Sequence, residues 1–186
     1  MMLKNPAVSA RRRPAVQAGL VLAGSALIAL SAQISVPMWP VPMTMQTLAI
    51  SLIGLTYGSR LAALTVLAYL VEGAVGLPVF AGGTGGPAVL VGPTSGFLWG
   101  FVAMAWATGW LVEHGLGRSV PRLFVAAFVP AMLLFVPGAF ALSLVLDKAP
   151  GEAIALAVTP FLAGAVVKAA IAALAVGGGL RLTPRA

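Results

Sequence analysis

Residues 76–96, GLPVFAGGTGGPAVLVGPTSG, decide how this chain is read. Glycine recurs at 76, 82, 83, 85, 86, 92 and 96, proline at 78, 87 and 93, and no residue is charged. Glycines at this density let backbone N–H groups approach a ligand with no side chain in between. The segment cannot continue a helix, yet it stays apolar and lies between two long apolar runs. It reads as a loop that forms half of a small-molecule pocket at the outer face of a membrane protein.

Composition points the same way. The 186 residues are 60% apolar and 8% charged, against about 25% charged in ordinary soluble domains, and the mean hydropathy is +1.05. A soluble core of this size could not use so much apolar surface, so the bilayer is the expected solvent. Without cysteine there is no disulfide framework, thiolate metal site or cysteine nucleophile. One histidine and four carboxylates leave little for a metal, so neither metal nor cofactor is expected.

Outward from the glycine-rich stretch, six apolar spans are expected, at about 15–36, 44–57, 61–75, 94–112, 123–146 and 153–180, the last interrupted by Pro160. The chain divides into a basic N-terminal segment (1–14), one membrane domain (15–180) and a short tail (181–186). The basic start and Leu30-Ser31-Ala32 resemble a signal peptide. The first run is nevertheless long enough to span (about 20 residues), and its removal would spoil the topology. With the N-terminus inside, nine of the eleven basic residues lie in cytoplasmic segments: Lys4, Arg11, Arg12, Arg13, Arg60, Arg118, Arg122, Arg181 and Arg185. That asymmetry follows the positive-inside rule. The expectation is an all-α integral membrane protein, a six-helix bundle with both termini cytoplasmic. The net charge of +7 is then explained without nucleic acid.

In this topology the spans beginning near Thr44, Thr94 and Ala153 start at the outer face. Each offers unpaired N–H groups and the positive end of a helix dipole, a setting for an anion or a carbonyl-rich ligand. Thr44, Gln46 and Thr47 sit at the first end, and Thr94 and Ser95 at the second. The loops add Trp39, Phe80 and the backbone around Gly82 and Gly83. Singly, each polar residue fits helix capping as well as ligand contact; together they favour a pocket.

Glu72 and Lys168 are charged residues within spans, which is costly and marks a functional site by default. Lys168 lies eight residues past Pro160, about 12 Å along a helix, deep enough to meet a ligand carboxylate or carbonyl. The alternative is snorkelling toward the cytoplasm. Glu72 is close enough to the outer interface to be solvated or to touch ligand. Ala15, Gly19 and Ala23 repeat every four residues, so another helix could approach closely there; packing within the bundle explains the spacing equally well.

No G-x-x-x-x-G-K-[ST] motif occurs, so ATP-driven work would need another subunit. Ser95 and His114 do not make a hydrolase pair, because they lie about 28 Å apart along one span. The chain is not expected to be an enzyme.

Three ordered motifs, Val41-Pro42-Met43-Thr44-Met45-Gln46-Thr47-Leu48, Gly76-Leu77-Pro78-Val79-Phe80-Ala81-Gly82-Gly83 and Gly92-Pro93-Thr94-Ser95-Gly96-Phe97-Leu98, resemble the BioY family, the biotin-binding S components of energy-coupling-factor (ECF) vitamin transporters. The resemblance covers about residues 16–180. It implies a six-helix membrane fold whose outer loops enclose biotin, located in a bacterial inner membrane. Its implied partners are a transmembrane coupling subunit and two cytoplasmic ATPases. It also implies that the small-residue stripe on the first helix, Ala15, Gly19 and Ala23, contacts the coupling subunit. The ligand-binding residues it suggests are Thr44, Gln46, Phe80, Gly82, Gly83, Thr94 and Lys168, with Trp39 and Glu72. The sequence departs from the family's sixth-helix pattern, P-F-x-x-G-D-x-x-K, in carrying Ala165 where an aspartate is expected, before the matching Lys168. Another vitamin of similar size, or a membrane assembly role without a small ligand, are the alternative functions.

Overall fold

The computed structural model describes residues 14–117 and 119–182. The basic segment 1–13, Arg118 and the end of the tail, 183–186, lie outside the described residues, and with them most of the charges used to orient the chain.

Among the described residues there are eight α-helices: α1 (Pro14–Gln33), α2 (Gln46–Tyr57), α3 (Ser59–Ala74), α4 (Ser95–Leu111), α5 (Val120–Leu133), α6 (Phe135–Leu146), α7 (Pro150–Ala157) and α8 (Leu162–Leu182). A small antiparallel hairpin, β1 (Ser35–Val36) and β2 (Met43–Thr44), fills the proline-rich connection between α1 and α2.

Prolines account for the difference between eight helices and six expected spans. Pro137 has no N–H to give the carbonyl four residues earlier, so the expected fifth span is interrupted near Leu134, between α5 and α6. Pro160 sits in a short 3-10 turn, Thr159–Phe161, between α7 and α8. Four stretches are long and apolar enough to cross a bilayer: 14–33, 95–116, 120–146 and 150–179. The helices α2 and α3 have 12 and 16 residues, so they reach only about 18 and 24 Å.

The surface is inside-out relative to a soluble protein. Leu22, Leu30, Leu64, Val71, Val136, Phe140 and Leu174 are exposed, while the interior relies on small residues that let backbones close on one another. A Cβ on Gly54 would lie 2.7 Å from Thr108 of α4. One on Gly96 would meet the Pro137 carbonyl at 2.0 Å, and one on Gly109 the Ser59 nitrogen at 2.4 Å. Four stretches able to span and an apolar exterior make this a multi-pass membrane protein.

Helix α2 is the central strut. Its Ile50 and Ile53 join the main core with α1, α3 and α4. Its Leu48, Leu52 and Leu55 join a second cluster with Leu123 of α5 and Ala169, Ala172 and Ala173 of α8. The remaining face of α2, carrying Thr47 and Ser51, looks into a cavity. At the far end of α4, the Glu113 carboxylate accepts hydrogen bonds from the Ser59 backbone N–H and hydroxyl, both 2.8 Å, and so caps α3.

Candidate functional site: a half-enclosed amphipathic cavity

A cavity of about 190 Å³ lies at the end of the bundle where α2 and α4 begin, below the hairpin and the glycine-rich loop. One wall is aromatic. Phe97 of α4, Phe135 of α6 and Phe161 of the turn before α8 form a three-ring cluster with centroids 6.2–6.5 Å apart. The interruption after α5 gives the cavity both Leu134 and Phe135. Phe101 lies lower on α4, and Phe80 comes from the loop.

The loop shows why it needs glycine. Gly82 and Gly83 have φ of 71° and 69°, a left-handed turn that side chains rarely adopt. The turn closes with Phe80 N–H on the Thr84 carbonyl (2.9 Å) and Gly83 N–H on the Phe80 carbonyl (3.1 Å). It drives the Phe80 ring into the bundle, edge-on to Tyr69 (centroids 5.4 Å apart) and over Gly73, where a Cβ would be 2.0 Å from Phe80 Cζ. Gln33 pins the loop to α1: its Nε2 donates to the Phe80 carbonyl (3.0 Å) and its Oε1 accepts from Gly83 N–H (2.9 Å).

The polar lining is sparse. Lys168 Nζ donates to the Thr44 carbonyl. Among the described residues the one ion pair is Lys148–Glu152 at 3.7 Å, so Lys168 has no carboxylate partner there. Ala165, one turn before it, lines the cavity at the position where an aspartate would have supplied one. The Gln46 amide is held at both ends: its Oε1 accepts from Thr44 Oγ1 (2.9 Å) and its Nε2 donates to Tyr69 OH (2.8 Å), which donates on to the Val79 carbonyl (3.1 Å).

Of the residues singled out in the sequence, Thr44, Gln46, Phe80, Thr94 and Lys168 come together around this cavity. Gly82 and Gly83 do not line it; they shape the turn whose Ala81 and Thr84 do. Trp39 is 78% exposed and borders a separate hollow with Lys148 and Glu152. Glu72 lies outside the lining and accepts a hydrogen bond from Ser25 (2.8 Å), tying α3 to α1. Of the three helix starts expected here, α2 and α4 contribute, whereas the third contribution comes from Phe161 and α8, not from α7. Ala15, Gly19 and Ala23 are exposed on α1, with nothing within 4 Å of a Cβ built on Gly19; Gly24, Ser25, Ile28 and Ala32 face the bundle instead.

Sequence reasoning missed Gln33, Tyr69, Ser51 and the phenylalanine cluster. A polar residue isolated in an apolar run was the available signal for Gln33 and Tyr69. For the phenylalanines there was none, since nothing in sequence separates a cavity wall from a lipid-facing ring.

These features define a class: a multi-pass membrane protein with a half-enclosed amphipathic cavity of small-molecule size. The chain belongs to the BioY family, whose model matches residues 4–185. It is 35% identical over 150 residues to the biotin transporter BioY2 of Lactococcus lactis subsp. cremoris, covering 81% of this chain and 82% of that one. It is also 35% identical over 163 residues to the biotin transporter BioY of Thermotoga maritima, covering 87% and 92%. The fold matches the crystal structure of the S-component for biotin from an ECF-type ABC transporter with a TM-score of 0.81, at 20% identity, over 98% of this chain and 96% of that one.

Proposed function

We propose that this chain is the biotin-binding subunit of a vitamin-uptake system in a bacterial inner membrane. The observation that carries the reading is Lys168, a cation without a carboxylate partner among the described residues, in an otherwise uncharged cavity. A buried charge needs an opposite charge or hydrogen-bonding partners, and a ligand carboxylate supplies both. The fused rings of biotin pack on Phe80 and the Phe97–Phe135–Phe161 cluster, while Thr44, Gln46 and Thr94 border the ligand. Trp39, Glu72, Gly82 and Gly83 act around the site rather than in it. The names of the relatives from L. lactis and T. maritima support biotin as ligand.

In this reading the chain crosses the membrane six times with both termini cytoplasmic, α5 with α6 and α7 with α8 each serving as one crossing. The cavity then opens outward. A transmembrane coupling subunit and two ATPases energise release, and the exposed stripe of Ala15, Gly19 and Ala23 is where the coupling subunit packs. The test is a titration of the purified protein with biotin, desthiobiotin, thiamine and riboflavin, followed by tryptophan fluorescence. Tight, saturable binding of biotin is expected; preference for any vitamin outside the biotin series refutes the assignment.

A further inference from the structure

Ser51 lines the cavity and is only 2% exposed, and its hydroxyl makes no hydrogen bond among the described residues. A serine inside a helix ordinarily returns its hydroxyl to the carbonyl four residues earlier, so an unpartnered one facing a cavity needs explanation. Thr47, one turn above on the same face of α2, also lines the cavity with its hydroxyl unpartnered among the described residues. Ser51 lies about 7.5 Å further along α2 than Gln46, away from the level where Lys168 meets the Thr44 carbonyl. Most of the rest of the lining is apolar, with Leu98 and Phe101 of α4, Ala131 of α5 and Ala169 of α8 among it. The cavity therefore has two separated polar poles, a cationic one at Lys168 and a neutral hydroxyl one at its floor.

Resting on the biotin reading, we infer that Ser51, with Thr47 above it, is a specificity-determining pair that donates hydrogen bonds to the ureido carbonyl of biotin while the valerate carboxylate meets Lys168. A neutral urea needs no charged partner, so hydroxyl donors suit it, and leaving such a group unpaired in an apolar floor would cost affinity. The orientation puts the fused ring at the bottom, among Leu98 and Phe101, and the acid chain toward the loop.

The experiment compares wild type, Ser51→Ala and Thr47→Val by calorimetric titration with biotin, biotin methyl ester and 2-thiobiotin, whose thiocarbonyl is a poorer acceptor. Ser51→Ala is expected to weaken biotin and its methyl ester equally, by about tenfold for one lost hydrogen bond. It should weaken 2-thiobiotin by threefold or less, and Thr47→Val should follow the same pattern. An equal loss for all three ligands, or a loss under twofold for biotin, overturns the inference. So does a loss that disappears with the methyl ester, because Ser51 would then serve the carboxylate. Comparing ligands on one protein separates recognition from misfolding. Failure of wild type to bind biotin at all would refute the biotin reading and this inference with it, before any substitution is made.

Discussion

Replacing Lys168 by methionine keeps the apolar stem and removes the charge. Lys168 has three N–H donors, and the Thr44 carbonyl takes one, leaving two for a ligand carboxylate. Hydrogen bonds to a charged group contribute about 1.5–3 kcal/mol each. After the cost of desolvating the ammonium, about 3 kcal/mol is a fair net value, a loss of about 150-fold in affinity for biotin. Stability should move the other way or not at all. The substitution deprives the Thr44 carbonyl of a donor, a cost of about 1 kcal/mol, but it also removes a cation that has no carboxylate beside it, which is worth at least as much. Calorimetric titration and thermal unfolding of the ligand-free protein in the same detergent read both signs. Biotin methyl ester, which lacks the carboxylate charge, should bind the variant and the wild type nearly alike. Lys168→Met with wild-type affinity for biotin would refute the reasoning and leave Lys168 as a strut on the hairpin.

Three further substitutions probe other parts of the argument. Gly73→Ala places a methyl group 2.0 Å from Phe80 Cζ, so the ring must leave its seat; biotin affinity in a fluorescence titration should fall at least tenfold, and retention of affinity would show that Phe80 is no part of the wall. Glu113→Ala removes the two 2.8 Å hydrogen bonds that cap α3; about 1–2 kcal/mol of stability should disappear from thermal unfolding with biotin affinity unchanged, because Glu113 lies about 28 Å from the Thr94 end of α4. Gly19→Leu faces open space and should leave both stability and biotin affinity intact while reducing co-purification with a co-expressed coupling subunit; undiminished recovery of the complex would move the contact away from this face of α1.

The membrane class was legible because it depends on bulk properties: few charges, long apolar runs and basic residues clustered between them. The break at Pro160 was legible because proline acts locally. The interruption beside Pro137 was not expected, since a proline early in the second half of a long apolar run also fits a kinked continuous helix. Lys168 could be found in sequence because a charge in an apolar span is expensive and therefore conspicuous. Glu72 is equally conspicuous, yet its partner is Ser25 on another helix, and only the packing of α1 on α3 brings that pair together. Ser51 escaped for the opposite reason. A hydroxyl costs little in an apolar helix because it can return to its own backbone, so only the fold reveals one that does not. The glycine-rich stretch does border the cavity, but it was read too literally. Its Gly83 and Gly86 N–H groups are engaged by Gln33 and by the Gly73 carbonyl, and the segment acts on the cavity through the ring of Phe80.

The charge inventory of the cavity also argues for which vitamins it rejects. Among the described residues its lining carries one cation, Lys168, and no carboxylate. A ligand bearing a fixed positive charge, such as the thiazolium of thiamine, would sit near that ammonium with nothing in the lining to offset the repulsion. At a separation of about 5 Å and an effective dielectric of about 20 this amounts to about 3 kcal/mol, enough to lower affinity more than a hundredfold. Riboflavin carries no such penalty, but it has no carboxylate for the Lys168 ammonium to meet, so that charge would stay without a counter-ion. A small acid with a neutral polar ring avoids both costs. An aspartate at position 165 would have put a carboxylate in the lining beside Lys168; with alanine there, selection by charge falls on the lysine alone, which makes the neutral poles of the cavity responsible for telling one small acid from another.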